Sequence, residues 1–205
     1  IKRSDEWPLA EFGGALSAKV TAFAACHSGR TSNETHTPWK GRTTMSHPLD
    51  TQDMESVILR SPHQLEAGMA AAQGVQVDGG PFANLLLAGM GGSWMAAALL
   101  NCCGLTRAPI RIHRDYDLPI GLELPNTLVL ACSFSGNTEE TLSAFEAARN
   151  QKLAVIGITS GGELLRRCAR EGVPAVRVPA DSFTIQPRSA TGYFVGILAK
   201  LLEQH

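Results

Sequence analysis

From Asn84 onward, short apolar runs alternate with stretches whose apolar residues recur at helical spacing. Runs of four to six residues bounded by turn formers read as strands buried on both faces, and the longer amphipathic stretches read as helices. Strands are expected at 84–88, 110–113, 128–132, 153–158 and 175–178. Helices are expected between them at 94–103, 139–150 and 163–170, followed by an apolar closing helix at 189–203. Upstream, Asp53 to Gln73 reads as helical with a break at Ser61-Pro62. Leu65, Met69 and Ala72 give it an apolar packing stripe. Asp78-Gly79-Gly80-Pro81 reads as a turn. Strands alternating with helices predict an α/β fold: three layers, α-β-α, around a five-stranded parallel sheet. The crossovers of such a sheet are right-handed, and its ligands sit at the carboxyl ends of the strands.

Residues 1–44 break the pattern. They mix Gly, Ser, Thr, Asn and Trp without a sustained period, and Thr31 to Thr44 is a polar run. One short amphipathic stretch, Ala15 to Ala25, has weak helical character. The segment is expected to be disordered, an upstream extension joined to a domain that begins near Met45 and runs through residue 205.

Composition narrows the function class. The chain has 205 residues, a formal net charge of -1 and 18% charged residues, so no strong field draws it to nucleic acid or an anionic membrane. No apolar run approaches the ~20 residues that span a bilayer, and the first residues, I-K-R-S-D-E-W-P, do not read as a signal peptide. Of the five cysteines (Cys26, Cys102, Cys103, Cys132, Cys168), three sit in apolar patterns and none forms a C-x-x-C pair. They read as free thiols of a reducing, cytoplasmic compartment. The six histidines have no ligand spacing with the cysteines or each other, so no metal site is expected.

Three turns carry candidate chemistry. After the third strand, Ser133, Ser135 and Thr138 place three hydroxyls within six residues around Gly136. Asn137 can cap the next helix, with Glu140 completing a capping-box pattern. Such a turn at a helix start suits a phosphate, and equally suits a helix that binds nothing. Glu139 and Glu140 would repel a phosphate unless they point away. After the first strand, Gly89-Met90-Gly91-Gly92-Ser93 lacks the third glycine of a dinucleotide fingerprint, because Trp94 stands there; a smaller anion fits this turn better. There is no P-loop motif. If the first and third strands are neighbours, the two turns share one crevice of hydroxyls and N–H groups without Lys or Arg, suited to a single phosphate on a neutral body. Third, Gln186-Pro187-Arg188-Ser189 precedes the last helix. Arg188 offers forked donors to an oxyanion or sugar hydroxyls, or else caps loop carbonyls.

These motifs, with Ala190 after the third and Arg114-Asp115-Tyr116 after the second strand, follow the order and spacing of sugar isomerase (SIS) domains. Over residues 50–204 the chain most resembles the N-terminal SIS domain of bifunctional phosphoglucose/phosphomannose isomerases. The resemblance implies a flavodoxin-like sheet. It implies a phosphate pocket of Gly92, Ser93, Ser133, Ser135 and Thr138, with Arg188 stabilising an enediolate-like intermediate. It implies metal- and cofactor-free exchange of glucose 6-phosphate or mannose 6-phosphate with fructose 6-phosphate, in a homodimer whose active sites form at the dimer interface. In that family the catalytic Glu, a ring-opening His and a Lys lie in a second SIS domain. No residue here matches the base, so the chain is expected to bind a phosphorylated hexose without turning it over. The alternatives are a non-catalytic sugar-phosphate-sensing SIS module and, opposed by Trp94, a dinucleotide-binding domain.

Overall fold

The computed structural model describes residues 49–51, 53–104, 106, 109–122, 126–179 and 186–204. The disorder expected of 1–44, the helical stretch at 15–25 and the domain start near Met45 lie outside these residues. The described part opens with two short helices, α1 (Met54–Leu59) and α2 (Ser61–Ala71), that meet at Arg60. Pro62 lies in the first turn of α2, where a missing N–H leaves no bond unmade. Five strands follow: β1 (Asn84–Gly89), β2 (Arg111–His113), β3 (Thr127–Cys132), β4 (Ala154–Thr159) and β5 (Ala175–Arg177). Between and after them come α3 (Met95–Cys102), α4 (Glu139–Asn150), α5 (Gly162–Glu171), a 3₁₀ turn at Pro187–Ala190 and α6 (Thr191–Gln204).

All four strand pairings are parallel, in the order β2-β1-β3-β4-β5. This is the doubly wound order in which the chain leaves β1 in both directions, opening a crevice beyond its carboxyl end. Alternation along the strands divides the core. Leu87, Leu128, Leu130, Ile156, Ile158 and Val176 face a layer that includes Ala97 and Leu100 of α3 and Phe194 and Ile197 of α6. Leu86, Val129, Ala131 and Val155 face Phe145 and Ala148 of α4 and Leu164 and Cys168 of α5. Every residue of β3 is buried, as a central parallel strand requires. The three-layer, five-stranded parallel architecture expected from the sequence is the one observed.

One local expectation fails. Asn137 does not cap α4: the cap position is Thr138, with no side-chain capping bond. The Asn137 side chain reaches across to the next helix instead, its Oδ1 accepting from the Glu163 N–H at 3.0 Å.

Candidate functional site

Register places the three candidate turns at one edge. Gly89 pairs with Cys132, so the turns after β1 and β3 leave the sheet side by side. The Ser93 Oγ accepts from the Phe134 N–H at 3.3 Å and ties one turn to the other. The third segment docks on the first: a Cβ on Gly92 would lie 3.0 Å from the Pro187 carbonyl oxygen and 3.1 Å from the Arg188 Cα. That is tighter than most real Cβ contacts, so a side chain at this position would need the Arg188 backbone to give by a few tenths of an ångström.

Within the Ser133–Thr138 turn the hydroxyls divide by exposure. Ser133 is buried; its Oγ accepts from the Gly136 N–H at 3.0 Å and lies 2.8 Å from the Thr138 Oγ1. Ser93 is also buried. Ser135 is exposed, its Oγ accepting from the Asn137 N–H at 3.3 Å, and Thr138 is half-buried. Ser133 and Ser93 thus brace the turn, the Thr138 hydroxyl is turned to Ser133, and Ser135 carries the exposed hydroxyl. Gly136 makes the bend, with φ +71° and its α-carbon against the Gly161 carbonyl. The first N–H groups of α4, from Glu139 to Thr141, have no partner among the described residues. Two of those of α5 are taken: Glu163 N–H by Asn137 and Leu164 N–H by the Gly136 carbonyl at 2.8 Å. Ser160 N–H and Oγ–H donate to the Phe134 carbonyl at 3.1 and 2.6 Å. The β4–α5 loop therefore supports the serine turn from behind. Its Gly161-Gly162 pair after a strand was a signal available in the sequence.

Two of the acidic residues beside the turn have partners of their own. The Tyr116 hydroxyl donates to Glu139 Oε2 at 3.1 Å. That bond, then the Glu139 charge, raises the tyrosine above its usual range. Glu163 accepts from Arg167 Nε at 3.1 Å and Arg166 Nε at 2.9 Å, and bonds to the two guanidinium groups hold it below the ordinary carboxylate range. Burial raises both core thiols, Cys132 strongly and Cys168 to about 11, so neither is a ready nucleophile. Arg188 is exposed, and its guanidinium has no partner among the described residues. One cation at this edge was given no role from the sequence: Arg114, just past β2, lies over the Trp94 ring at 4.9 Å from its centroid. Among the described residues, no group of three or more His, Cys, Asp or Glu could hold a metal ion, and no helix is long and apolar enough to cross a membrane.

No protein-family model matches the chain. It is 34% identical over 146 residues to the bifunctional phosphoglucose/phosphomannose isomerase of Caldicellulosiruptor bescii, covering 69% of this chain and 42% of that protein. It is 41% identical over 123 residues to the enzyme of the same name from Thermoplasma acidophilum, covering 58% of this chain and 37% of that one. The chain thus spans about four-tenths of the length of these curated relatives. Among solved structures, a candidate phosphosugar isomerase of Clostridium difficile 630 matches with a TM-score of 0.53 at 15% identity, over 73% of this chain and 45% of that one. At that identity the likeness is one of fold.

Proposed function

We propose that this chain, a sugar isomerase domain by its fold and its sequence relatives, holds the phosphate end of a hexose 6-phosphate. It would be the phosphate-holding half of an aldose–ketose isomerase acting on glucose 6-phosphate, mannose 6-phosphate and fructose 6-phosphate. The observation that carries this reading is the junction of three sequence-distant segments: Ser93 bonded to the Phe134 backbone, and Gly92 seated on Arg188.

The chemistry follows from that junction. The Ser135 and Thr138 hydroxyls and the open N–H groups of α4 offer donors to phosphate oxygens at the positive end of a helix. Ser133 and Ser93 set the shape of the turn and Gly92 lends its backbone. Moving a proton between C1 and C2 develops negative charge on oxygen, and the guanidinium of Arg188 is suited to stabilise it. Trp94 argues against a dinucleotide, whose pyrophosphate needs close backbone approach at that position. Among the described carboxylates near this edge, Glu139 is held by Tyr116 and Glu163 by two arginines, which leaves neither poised as a base. The 205-residue chain is therefore expected to bind without isomerising.

The test is calorimetric titration with fructose 6-phosphate, fructose and NAD. Only fructose 6-phosphate should bind, and Ser135→Ala should weaken it about tenfold, the effect of one hydrogen bond to a charged group. No binding by the wild type, or unchanged affinity in the variant, refutes the reading. Turnover of glucose 6-phosphate in a coupled assay would refute the expected inactivity alone.

A further inference from the structure

We infer that Arg114, carried on the face of Trp94 at the carboxyl end of β2, is a second cation of the crevice and contacts the ligand's phosphate. The inference rests on the phosphate reading of the Ser133–Thr138 turn and adds a residue to it.

Position comes first. Ala88 pairs with His113 on one side and Ala131 on the other, so Arg114, Gly89 and Cys132 continue one level across three adjacent strands. Strands lie ~4.8 Å apart, which puts the Arg114 α-carbon about 10 Å from that of Cys132, the residue before the serine turn. An extended arginine together with a bound tetrahedral anion spans that gap. The side chain is directed by its platform. Trp94 follows Ser93, packs its half-buried ring against the core, and takes the guanidinium over its face at 4.9 Å. A guanidinium on an aromatic face keeps its N–H donors at the edges.

Those donors are unengaged. The Arg114 side chain has no hydrogen bond or ion pair with any described residue. Its neighbouring carboxylates are engaged elsewhere: Asp115 Oδ1 accepts from the Tyr116 N–H at 2.8 Å, Glu139 from the Tyr116 hydroxyl, and Asp117 Oδ1 from the Ser143 hydroxyl at 3.2 Å. The His113 ring lies 3.1 Å from the Tyr116 carbonyl oxygen. The segment after β2 is thus anchored to the start of α4, while the guanidinium of its one arginine rests on Trp94 and on none of these carboxylates. An arginine whose only role was to latch this loop would be expected to pair with one of these carboxylates. The turns after β1 and β3 contain no cation, and a phosphate bound there by hydroxyls and N–H groups alone would keep most of its charge uncompensated.

The experiment uses the full chain and titrates it with fructose 6-phosphate and with inorganic phosphate at two salt concentrations. Arg114→Ala is expected to weaken both by about 10- to 100-fold, as for loss of a charge-assisted bond, and to flatten the salt dependence. Arg114→Lys should recover part of the loss, and Trp94→Phe, which keeps a weaker aromatic platform, should lie between. Arg114→Gln guards against a folding defect, and circular dichroism should report the native fold for it. Unchanged affinity in Arg114→Ala and Arg114→Gln, with loss in Ser135→Ala, overturns this inference and leaves the serine turn standing. Failure of the wild type to bind either phosphate compound overturns both.

Discussion

Gly136 sits where the serine turn meets the loop behind it, and Gly136→Ala tests that junction. Two effects oppose the methyl group. At φ +71° an L side chain is in the left-handed region, which costs about 1–2 kcal/mol. The new Cβ would also collide with the Gly161 carbonyl, a backbone atom tied into the start of α5, and overpacking of this kind costs about 1–3 kcal/mol. Stiffening the unfolded chain offsets about 0.4–1 kcal/mol. The net expectation is a loss of about 2–4 kcal/mol, or about 5–12 °C in melting temperature for a domain of this size. Gly172→Ala separates the two effects. That glycine has φ +65° at the end of α5, and a Cβ there meets nothing within 4 Å, so it reports backbone strain alone. Urea unfolding of both variants is the assay. If Gly136→Ala costs no more than Gly172→Ala, the loop behind the turn yields freely, and the rigid support described for the serine turn is wrong.

Three other outcomes are expected. Ser133→Ala removes an acceptor from the Gly136 N–H and a partner from Thr138; urea unfolding should show about 1–2 kcal/mol lost, and a change within error would mean the buried hydroxyl does not brace the turn. Glu163 is held below its unfolded value near 4.3, so its stabilising effect is present above that pH and disappears as pH falls through the lower folded value. Glu163→Gln should therefore be less stable than wild type at pH 7 and lose less on acidification; parallel acid profiles would contradict the pairing with Arg167 and Arg166. Tyr116 is one of two tyrosines and titrates above the usual range because of Glu139; phenolate absorbance in Glu139→Gln should move its titration down toward the free value, and no movement would break the proposed contact.

Local pattern sufficed for much of the fold. The helix at Glu139–Asn150 lies where apolar spacing put it, because Phe145 and Ala148 fall on one face and that face meets the sheet. Strand β3 begins one residue earlier than expected, since a polar Thr127 is buried there. The three candidate turns were legible because each follows a strand or precedes a helix within a few residues. What the sequence hid is what joins elements distant along it. Asn137 precedes α4 and reads as its cap, yet the neighbouring α5 brings the Glu163 N–H within reach, and the tertiary partner wins. Trp94 reads as an obstacle to a dinucleotide; its role as a platform needs Arg114, which only strand order brings beside it.

The arrangement of Asn137 has a wider consequence. A doubly wound sheet repeats the same geometry at every strand end, so adjacent helix starts ought to compete for the same guest. Here the side chain at the mouth of α4 plugs the mouth of α5, and the Gly136 carbonyl completes the closure. Of the helix starts after β3 and β4, the first keeps its N–H groups open and the second has two of them covered. The cover comes from the open helix start itself, so a change at Asn137 would free the Glu163 N–H while the Gly136 carbonyl still holds that of Leu164.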